Sequence, residues 1–270
     1  MQTITSTEHI AGLSDNQIVG GIKFDGKSKI QFKGKGNILA VPGGVAELQN
    51  CAISFNGDNS LVVLSASYNP YALVLSLWNN SSFYSGRNNY FNGRLNLQCS
   101  EQANIFIGSG CLFSTGVLLR TGDVHLIFDV ETHKRTNFAK SIYVGDHVWI
   151  GQDAKIWKNT HIGSGSIIGT EAVVAGKRVP SNTAWGGNPA RQLKSGVFFH
   201  SNSSHAYTAT EVEKWSEYNG NEYIYARDNT TLDFDDIEKT MRELNTAEKR
   251  KDFLIGLGET KNRFTISTNI

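Results

Sequence analysis

The chain has 270 residues, with 26 Lys and Arg against 25 Asp and Glu, and 39% of its residues are hydrophobic. This composition is typical of a folded domain with a sizeable core, and the balanced charge gives no indication of a nucleic-acid partner. The sequence shows no apolar run of membrane-spanning length, no secretion signal and no CxxC spacing among its three cysteines. These features predict a cytoplasmic protein without disulfides, metal knuckles or an integral membrane segment.

Residues 1–104 form the first of three predicted regions. Alternating apolar and polar residues at 29–33 and the apolar run at 61–64 predict strands, and 27 glycines against 4 prolines predict many tight corners. We interpret this region as irregular β-coils whose register the sequence does not reveal. Residues 21–28 match the phosphate-loop pattern GxxxxGK[ST], but a strand-like alternation follows where a helix is required, so we reject a nucleotide site there.

Residues 105–194 form the second region, which carries a six-residue repeat. Aliphatic side chains recur at every sixth position, and four of the six are followed directly by Gly. These positions are Val144, Ile150, Ile156, Ile162, Ile168 and Val174. A period of six fits neither a helix nor a simple alternating strand, but it fits a chain that makes one short strand and one corner per repeat.

Two further motifs accompany the repeat. Residues 123–141 interrupt it as a loop that contains His125, and residues 145–151 then read Gly-Asp-His-Val-Trp-Ile-Gly. Residues 185–191 read Trp-Gly-Gly-Asn-Pro-Ala-Arg. The repeat and these motifs resemble the hexapeptide-repeat acyltransferases, among them bacterial capsule, polysialic acid and other sugar O-acetyltransferases. Leu126 departs from the proline that commonly follows the loop histidine in the maltose-type enzymes.

The resemblance implies an all-β fold, a left-handed parallel β-helix in which three six-residue units close one triangular coil. Three stacked pairs are then expected: Val144 on Ile162, Ile150 on Ile168, and Ile156 on Val174. The resemblance also implies acetyl-CoA as the acetyl donor, a carbohydrate acceptor, no metal, and a homotrimer with its active sites between subunits.

His125 is the candidate catalytic base. A sugar hydroxyl is too weakly acidic to attack a thioester unaided, and imidazole can accept its proton and return it near neutral pH. In the resembled enzymes the histidine at this place does so. Asp123 or Asp129 could orient the ring, and the alternative is a surface histidine without a role.

The other candidate site residues follow from the same motifs. Trp149 is flanked by repeat positions, so its side chain should point outward. It is a candidate for the catalytic site, where its ring would form a wall for the acceptor, and the alternative is packing against a second subunit. Asp129 and Arg135 of the loop are further candidates for substrate binding. By resemblance, Gly151, Lys177, Arg178 and Arg191 are candidates for acetyl-CoA binding, the last three through its phosphates and Gly151 through a backbone amide near the thioester oxygen.

Residues 195–270 form the third region, a C-terminal extension that is partly helical. Residues 210–213 suggest a capping-box start, and residues 235–254 place Ile237, Met241 and Leu244 at helical spacing. Two alternatives to a sugar O-acetyltransferase stay open. One is an antibiotic O-acetyltransferase of the streptogramin type, and the other is a non-catalytic trimeric scaffold or glycan-binding protein.

Overall fold

Three β-sheets form the faces of a three-sided coil, and from residue 73 onward the chain passes from the first face to the second and then to the third in each turn. This architecture is seen in a computed structural model, which describes residues 1–267. Within each face, neighbouring strands are parallel except at two ends, where β1 pairs with β3 and β22 pairs with β21 in antiparallel fashion. The fold is therefore a parallel β-helix, as predicted.

Within residues 1–267, the three faces contain eight, eight and six strands. The first face contains β1 (Gln2–Ile4), β3 (Lys29–Phe32), β5 (Ala52–Phe55), β7 (Leu73–Leu77), β10 (Leu95–Cys99), β13 (Leu118–Arg120), β16 (Lys155–Trp157) and β19 (Val173–Val174). The second contains β2 (Gln17–Phe24), β4 (Ile38–Leu48), β6 (Leu61–Leu64), β8 (Ser82–Ser85), β11 (Ile105–Ile107), β14 (Ile142–Val144), β17 (Thr160–Ile162) and β20 (Arg178–Val179). The third contains β9 (Tyr90–Phe91), β12 (Leu112–Phe113), β15 (Trp149–Ile150), β18 (Ile167–Ile168), β21 (Thr183–Gly186) and β22 (Arg191–Ser195).

The predicted stacking of the repeat is confirmed. All three expected pairs lie opposite each other in the parallel ladders: Val144 with Ile162, Ile150 with Ile168, and Ile156 with Val174. All six side chains are fully buried. Burial of each aliphatic side chain contributes about 1.5–3 kcal/mol to the free energy of unfolding. The six-residue spacing therefore stabilises the fold by placing these side chains in the interior of the coil.

The coils of residues 1–104 have a longer turn, and before β9 only the first two faces contain strands. Leu97 pairs with Leu119, its partner 22 positions along the chain, whereas Ile156 pairs with Val174, 18 positions along. Residues 21–28, which match the phosphate-loop pattern, run from β2 through a turn into β3. The Asp25 carboxylate accepts hydrogen bonds from the backbone N–H of Lys27 and Ser28 in that turn.

The C-terminal extension contains a short helix α1 (Ala209–Lys214) and two further helices, α2 (Phe234–Glu243) and α3 (Ala247–Ile255). The capping box begins two residues earlier than the sequence suggested: Thr208 and Glu211 exchange the two capping hydrogen bonds. The predicted helical stretch at 235–254 is divided, because the chain leaves the helix at Leu244 and restarts after Thr246. No helix within residues 1–267 is both long enough and apolar enough to cross a membrane.

Helices α2 and α3 cover the outside of the second face. A second apolar core lies between them and the sheet, and its members include Leu61, Val63, Phe106, Tyr143, Phe234, Ile237, Met241, Leu254 and Phe264. The extension is also fixed by Arg263, which is 2% exposed and holds Asp146 through two hydrogen bonds of 2.8 and 2.7 Å. The second face is thus occupied by the chain itself, which leaves the first and third faces open.

Candidate active site

The loop at residues 123–141 projects from the corner between the first and second faces, because it leaves the coil after β13 and returns before β14. Its two arms are joined by backbone hydrogen bonds from Asp129 N to Lys134 O (2.9 Å) and from Thr136 N to Ile127 O (2.9 Å). The loop is therefore an ordered hairpin-like projection that carries His125 away from the coil.

Asn137 fixes the backbone of this loop at His125. The Asn137 side chain is buried, and its Nδ2 donates hydrogen bonds to the His125 carbonyl (2.7 Å) and to Asp123 Oδ2 (3.1 Å). Its Oδ1 accepts from the backbone N–H of Ile127 (2.9 Å). The sequence motif contains Asn137, but the sequence alone gave no role for it. A buried amide is typical of positions where several backbone groups need one polar partner.

Arg135 and Asp129 both make contacts that shape the loop. The Arg135 guanidinium pairs with Glu101 Oε1 at 2.6 Å and lies 4.8 Å above the Phe138 ring, so it ties the loop to the preceding coil. The Asp129 carboxylate accepts hydrogen bonds from the backbone N–H and the hydroxyl of Thr132, both at 2.8 Å, and these bonds lower the pKa of Asp129. Their roles in substrate binding stay predictions.

His125 is exposed, and among residues 1–267 its imidazole ring has no hydrogen-bond partner. The two carboxylates considered for orienting it are engaged elsewhere. Asp123 accepts from Lys158 Nζ at 2.5 Å, and this hydrogen bond lowers the pKa of Asp123. Within residues 1–267 no side chain therefore fixes the orientation of this imidazole by a hydrogen bond.

Trp149 points outward from the third face, as predicted. It lies between Leu112 and Ile167 in the parallel ladder, and 38% of its surface is exposed. Its ring centroid is 5.9 Å from that of Phe199, which belongs to the C-terminal extension. The third face therefore presents an apolar strip that the extension borders.

His125 and Trp149 arise from different parts of the coil. The His125 loop leaves the corner between the first and second faces, and in a three-sided coil this corner lies opposite the third face, which carries Trp149. A site that uses both side chains accordingly needs two subunits.

Gly151 has a structural reason to be glycine. A Cβ at this position would lie 2.7 Å from the Thr170 backbone nitrogen and 2.8 Å from the Gly169 carbonyl carbon, closer than any side chain can approach. Its N–H donates to Ile168 O at 2.7 Å. This donor is therefore already used in the ladder, and the role of Gly151 in acetyl-CoA binding stays a prediction.

The three candidate cations for acetyl-CoA differ in their surroundings. Arg178 pairs with Asp235 at 2.8 Å and with Asp233 at 3.6 Å, at the start of α2, so it helps to dock the extension. Lys177 and Arg191 are exposed and, within residues 1–267, have no carboxylate within 4.0 Å. Of the three, these two keep a positive charge that is free for a phosphate.

The remaining histidines of this region are not equivalent. His147 is sandwiched between Phe199 and Tyr223, with both ring centroids 4.1 Å away, and His161 packs edge-on against Tyr143 under α2. The extension covers both, and desolvation lowers the pKa of each. His133 alone of the three is exposed. Residues 1–267 contain no group of three or more side chains placed to hold a metal ion.

Comparisons with known proteins agree with this geometry. Residues 141–176 match the family model described as bacterial transferase hexapeptide (six repeats). A polysialic acid O-acetyltransferase of Escherichia coli O1:K1 is 34% identical over 37% of this chain and 32% of its own length, and one of Neisseria meningitidis is 29% identical over 39% and 49%. The chain thus spans a third to a half of the length of these curated relatives.

A solved structure extends the match along the chain. The crystal structure of the polySia specific acetyltransferase NeuO superposes with a TM-score of 0.57 at 27% identity, over 72% of this chain and 90% of that one. The shared fold is the left-handed parallel β-helix, as predicted. The superposition includes more of the chain than the sequence matches do, so it reaches coils beyond the matched repeat.

Proposed function

Because this chain is a hexapeptide-repeat protein that resembles sugar O-acetyltransferases, we propose that it transfers an acetyl group from acetyl-CoA to a carbohydrate hydroxyl. The acceptor in this proposal is a surface polysaccharide, and the reaction takes place in the cytoplasm, where acetyl-CoA is available. The observation that carries the proposal is the ordered loop in which buried Asn137 holds the backbone of an exposed His125.

The proposed reaction is a direct transfer. His125 takes the proton of the acceptor hydroxyl as the oxygen attacks the thioester carbonyl carbon, which forms a tetrahedral oxyanion. The C–S bond then breaks, and the protonated imidazole gives its proton to the leaving CoA sulfur. No acyl-enzyme is required. All three cysteines are buried, and burial raises the pKa of the Cys51 thiol to about 11, which leaves it without nucleophilic thiolate at neutral pH.

A homotrimer with shared sites is the assembly that this geometry supports best. The loop exposes six large apolar side chains: Val124, Leu126, Ile127, Phe128, Val130 and Phe138. Apolar groups in such a cluster are typical of a protein interface. Since α2 and α3 cover the second face, we place the loop of one subunit against the third face of the next, where it would bring His125 to Trp149.

Mixed trimers test the shared site. We expect His125→Ala and Trp149→Ala proteins each to be strongly impaired alone, and their co-expressed mixture to regain part of the wild-type rate. The mixture regains activity because some interfaces then combine an intact His125 from one subunit with an intact Trp149 from the next. Activity is measured as thiol release, and mass is measured by light scattering. A fully active monomer, or no recovery in verified mixed trimers, contradicts the arrangement.

Arg191 tests the acetyl-CoA path. We expect Arg191→Ala to raise the KM for acetyl-CoA by about tenfold with little change in kcat, because a phosphate contact stabilises ground and transition states alike. Arg178→Ala is the comparison, since its charge is already matched by Asp233 and Asp235. Steady-state kinetics with varied acetyl-CoA gives both constants. A change confined to kcat in Arg191→Ala means that the cofactor lies elsewhere.

The activity itself is tested by thiol release from acetyl-CoA with neutral and sialylated glycans as acceptors. Mass spectrometry of the glycan identifies the acetylated product. Glycan binding without thiol release from any acceptor supports the non-catalytic scaffold instead.

A further inference from the structure

An aromatic cluster on the C-terminal extension lies beside the third face. It contains six side chains, which we call the aromatic platform: Phe198, Phe199, His200, Trp215, Tyr218 and Tyr223. Adjacent rings are close to one another, with centroid distances of 5.1 Å for His200 and Trp215, 5.3 Å for His200 and Tyr218, and 5.9 Å for Tyr218 and Tyr223. Such a row of rings forms one continuous surface.

The aromatic platform is continuous with Trp149. Phe199 lies 5.9 Å from Trp149 and stacks on His147, and the opposite side of the His147 ring stacks on Tyr223. The backbone there is also fixed to the coil, since Asn182 Nδ2 donates to Tyr223 O at 2.8 Å. The aromatic platform therefore continues the surface of Trp149, the proposed contact for the acceptor, and is held in place by the coil.

The outer part of the platform is accessible. Trp215 is 38% exposed, the rings of His200, Tyr218 and Tyr223 are half-buried, and the adjoining helix α1 buries none of its residues. Aromatic rings with polar tips are suited to ligands that combine apolar faces with hydroxyl groups. Pyranose rings have this character, because their axial C–H groups form an apolar face.

The charge around the platform is acidic. Four exposed carboxylates, Glu211, Glu213, Glu217 and Glu222, lie within residues 198–225, against Lys214 of the same segment and Lys261, whose Nζ donates to Asn221 O. Carboxylates accept hydrogen bonds from sugar hydroxyls but repel an anionic chain. The loop at residues 123–141 adds no net positive charge that could attract an anionic chain, since Lys134, Arg135 and Lys140 are matched in number by Asp123, Asp129 and Glu131.

We propose that the aromatic platform binds an uncharged glycan chain, whose pyranose rings stack on Trp215, Tyr218 and Tyr223 while the sugar to be acetylated reaches Trp149. This inference rests on the proposed function and specifies its substrate class. The acceptor is then a neutral polysaccharide or oligosaccharide, and not a polymer of sialic acid.

Calorimetric titration tests the platform. The probes are maltohexaose, cellohexaose and chitohexaose, with a sialic acid hexamer as the anionic comparison. We expect at least one neutral hexamer to bind more tightly than the sialic acid hexamer, and Trp215→Ala and Tyr218→Ala each to weaken it by about three- to tenfold, the range of one aromatic stacking contact. Trp78→Ala is the matched control, because Trp78 is 40% exposed, directly follows β7 and is not a member of the aromatic platform.

The possible outcomes distinguish a failure of the platform proposal from a failure of the proposed transferase activity. Turnover with a neutral glycan whose KM is unchanged in Trp215→Ala overturns the platform and leaves the proposed activity intact. Glycan binding that depends on Trp215 without thiol release from acetyl-CoA supports the platform and overturns the activity. Preference for the sialic acid hexamer, no binding of any neutral hexamer, or a changed oligomeric mass in Trp215→Ala also overturns the platform, the last because it identifies a subunit contact.

Discussion

Replacing His125 with alanine is expected to lower kcat by about 10²–10⁴-fold, the range for removing a positioned proton acceptor. The KM for acetyl-CoA should change little, because the ring acts on the acceptor hydroxyl and not on the nucleotide. The loop should keep its conformation, since Asn137 binds the backbone carbonyl of His125 and not its side chain. Thiol-release kinetics and a thermal melt measure these effects separately.

The pH profile gives a second measurement of the same role. A general base has to be unprotonated, so kcat/KM should rise with pH, and this rise should disappear in His125→Ala. His133→Asn is the best control, because His133 lies in the same loop with φ of +54°, a conformation that asparagine tolerates. His147 is unsuitable, since its loss would remove the stack with Phe199 and Tyr223. Near-normal turnover in His125→Ala would show that the loop assignment is wrong.

Replacing Arg263 with alanine is expected to lower the free energy of unfolding by about 3–5 kcal/mol, the cost of leaving one member of a buried ion pair without its partner. Arg263 and Asp146 have side chains only 2% and 13% exposed, and Arg263 also donates to Ser109 Oγ at 3.0 Å. The substitution therefore affects both the extension and the coil corner. Chemical denaturation followed by circular dichroism measures the change.

The control for this prediction is Arg87→Ala. Arg87 pairs with Glu259 at 2.9 Å, but both side chains are about half exposed, so the change should stay within about 1 kcal/mol. Equal effects of the two substitutions would refute a special role for the buried pair. A double substitution of Arg263 and Asp146 should cost less than the sum of the single ones, because neither charge is then left alone.

The coils of residues 142–176 could be predicted from the sequence, because their apolar side chains recur at a strict period of six residues. With six residues per side, Val144 and Ile162 stand 18 positions apart and meet on the same face. The coils of residues 1–104 could not be predicted, because their turns are longer. Ile53 pairs with Leu75, 22 positions along the chain, and the extra residues lie in corners without a fixed pattern. The spacing of apolar residues indicates the individual strands, but corners of variable length hide which strands pair with each other.

The candidate site was predictable only where a local motif marks it. His125 and Trp149 belong to such motifs, and the outward direction of Trp149 follows from its buried neighbours Val148 and Ile150. The partners of His147 are 52 and 76 positions away in the chain, at Phe199 and Tyr223, so no local pattern indicates them. Arg178 carries the same charge as Arg191, and only the fold shows which of the two meets carboxylates.

The antiparallel strands at the ends of the coil have a consequence for solubility. A parallel β-helix is open at both ends, and its last strands present unpaired backbone groups on which another molecule could continue the ladder. Here β1 closes the end of the first sheet and β22 that of the third, each running against the direction of its neighbour. A further coil added there would meet a strand that runs against the parallel register, so we expect these two edges to disfavour end-to-end growth into fibrils.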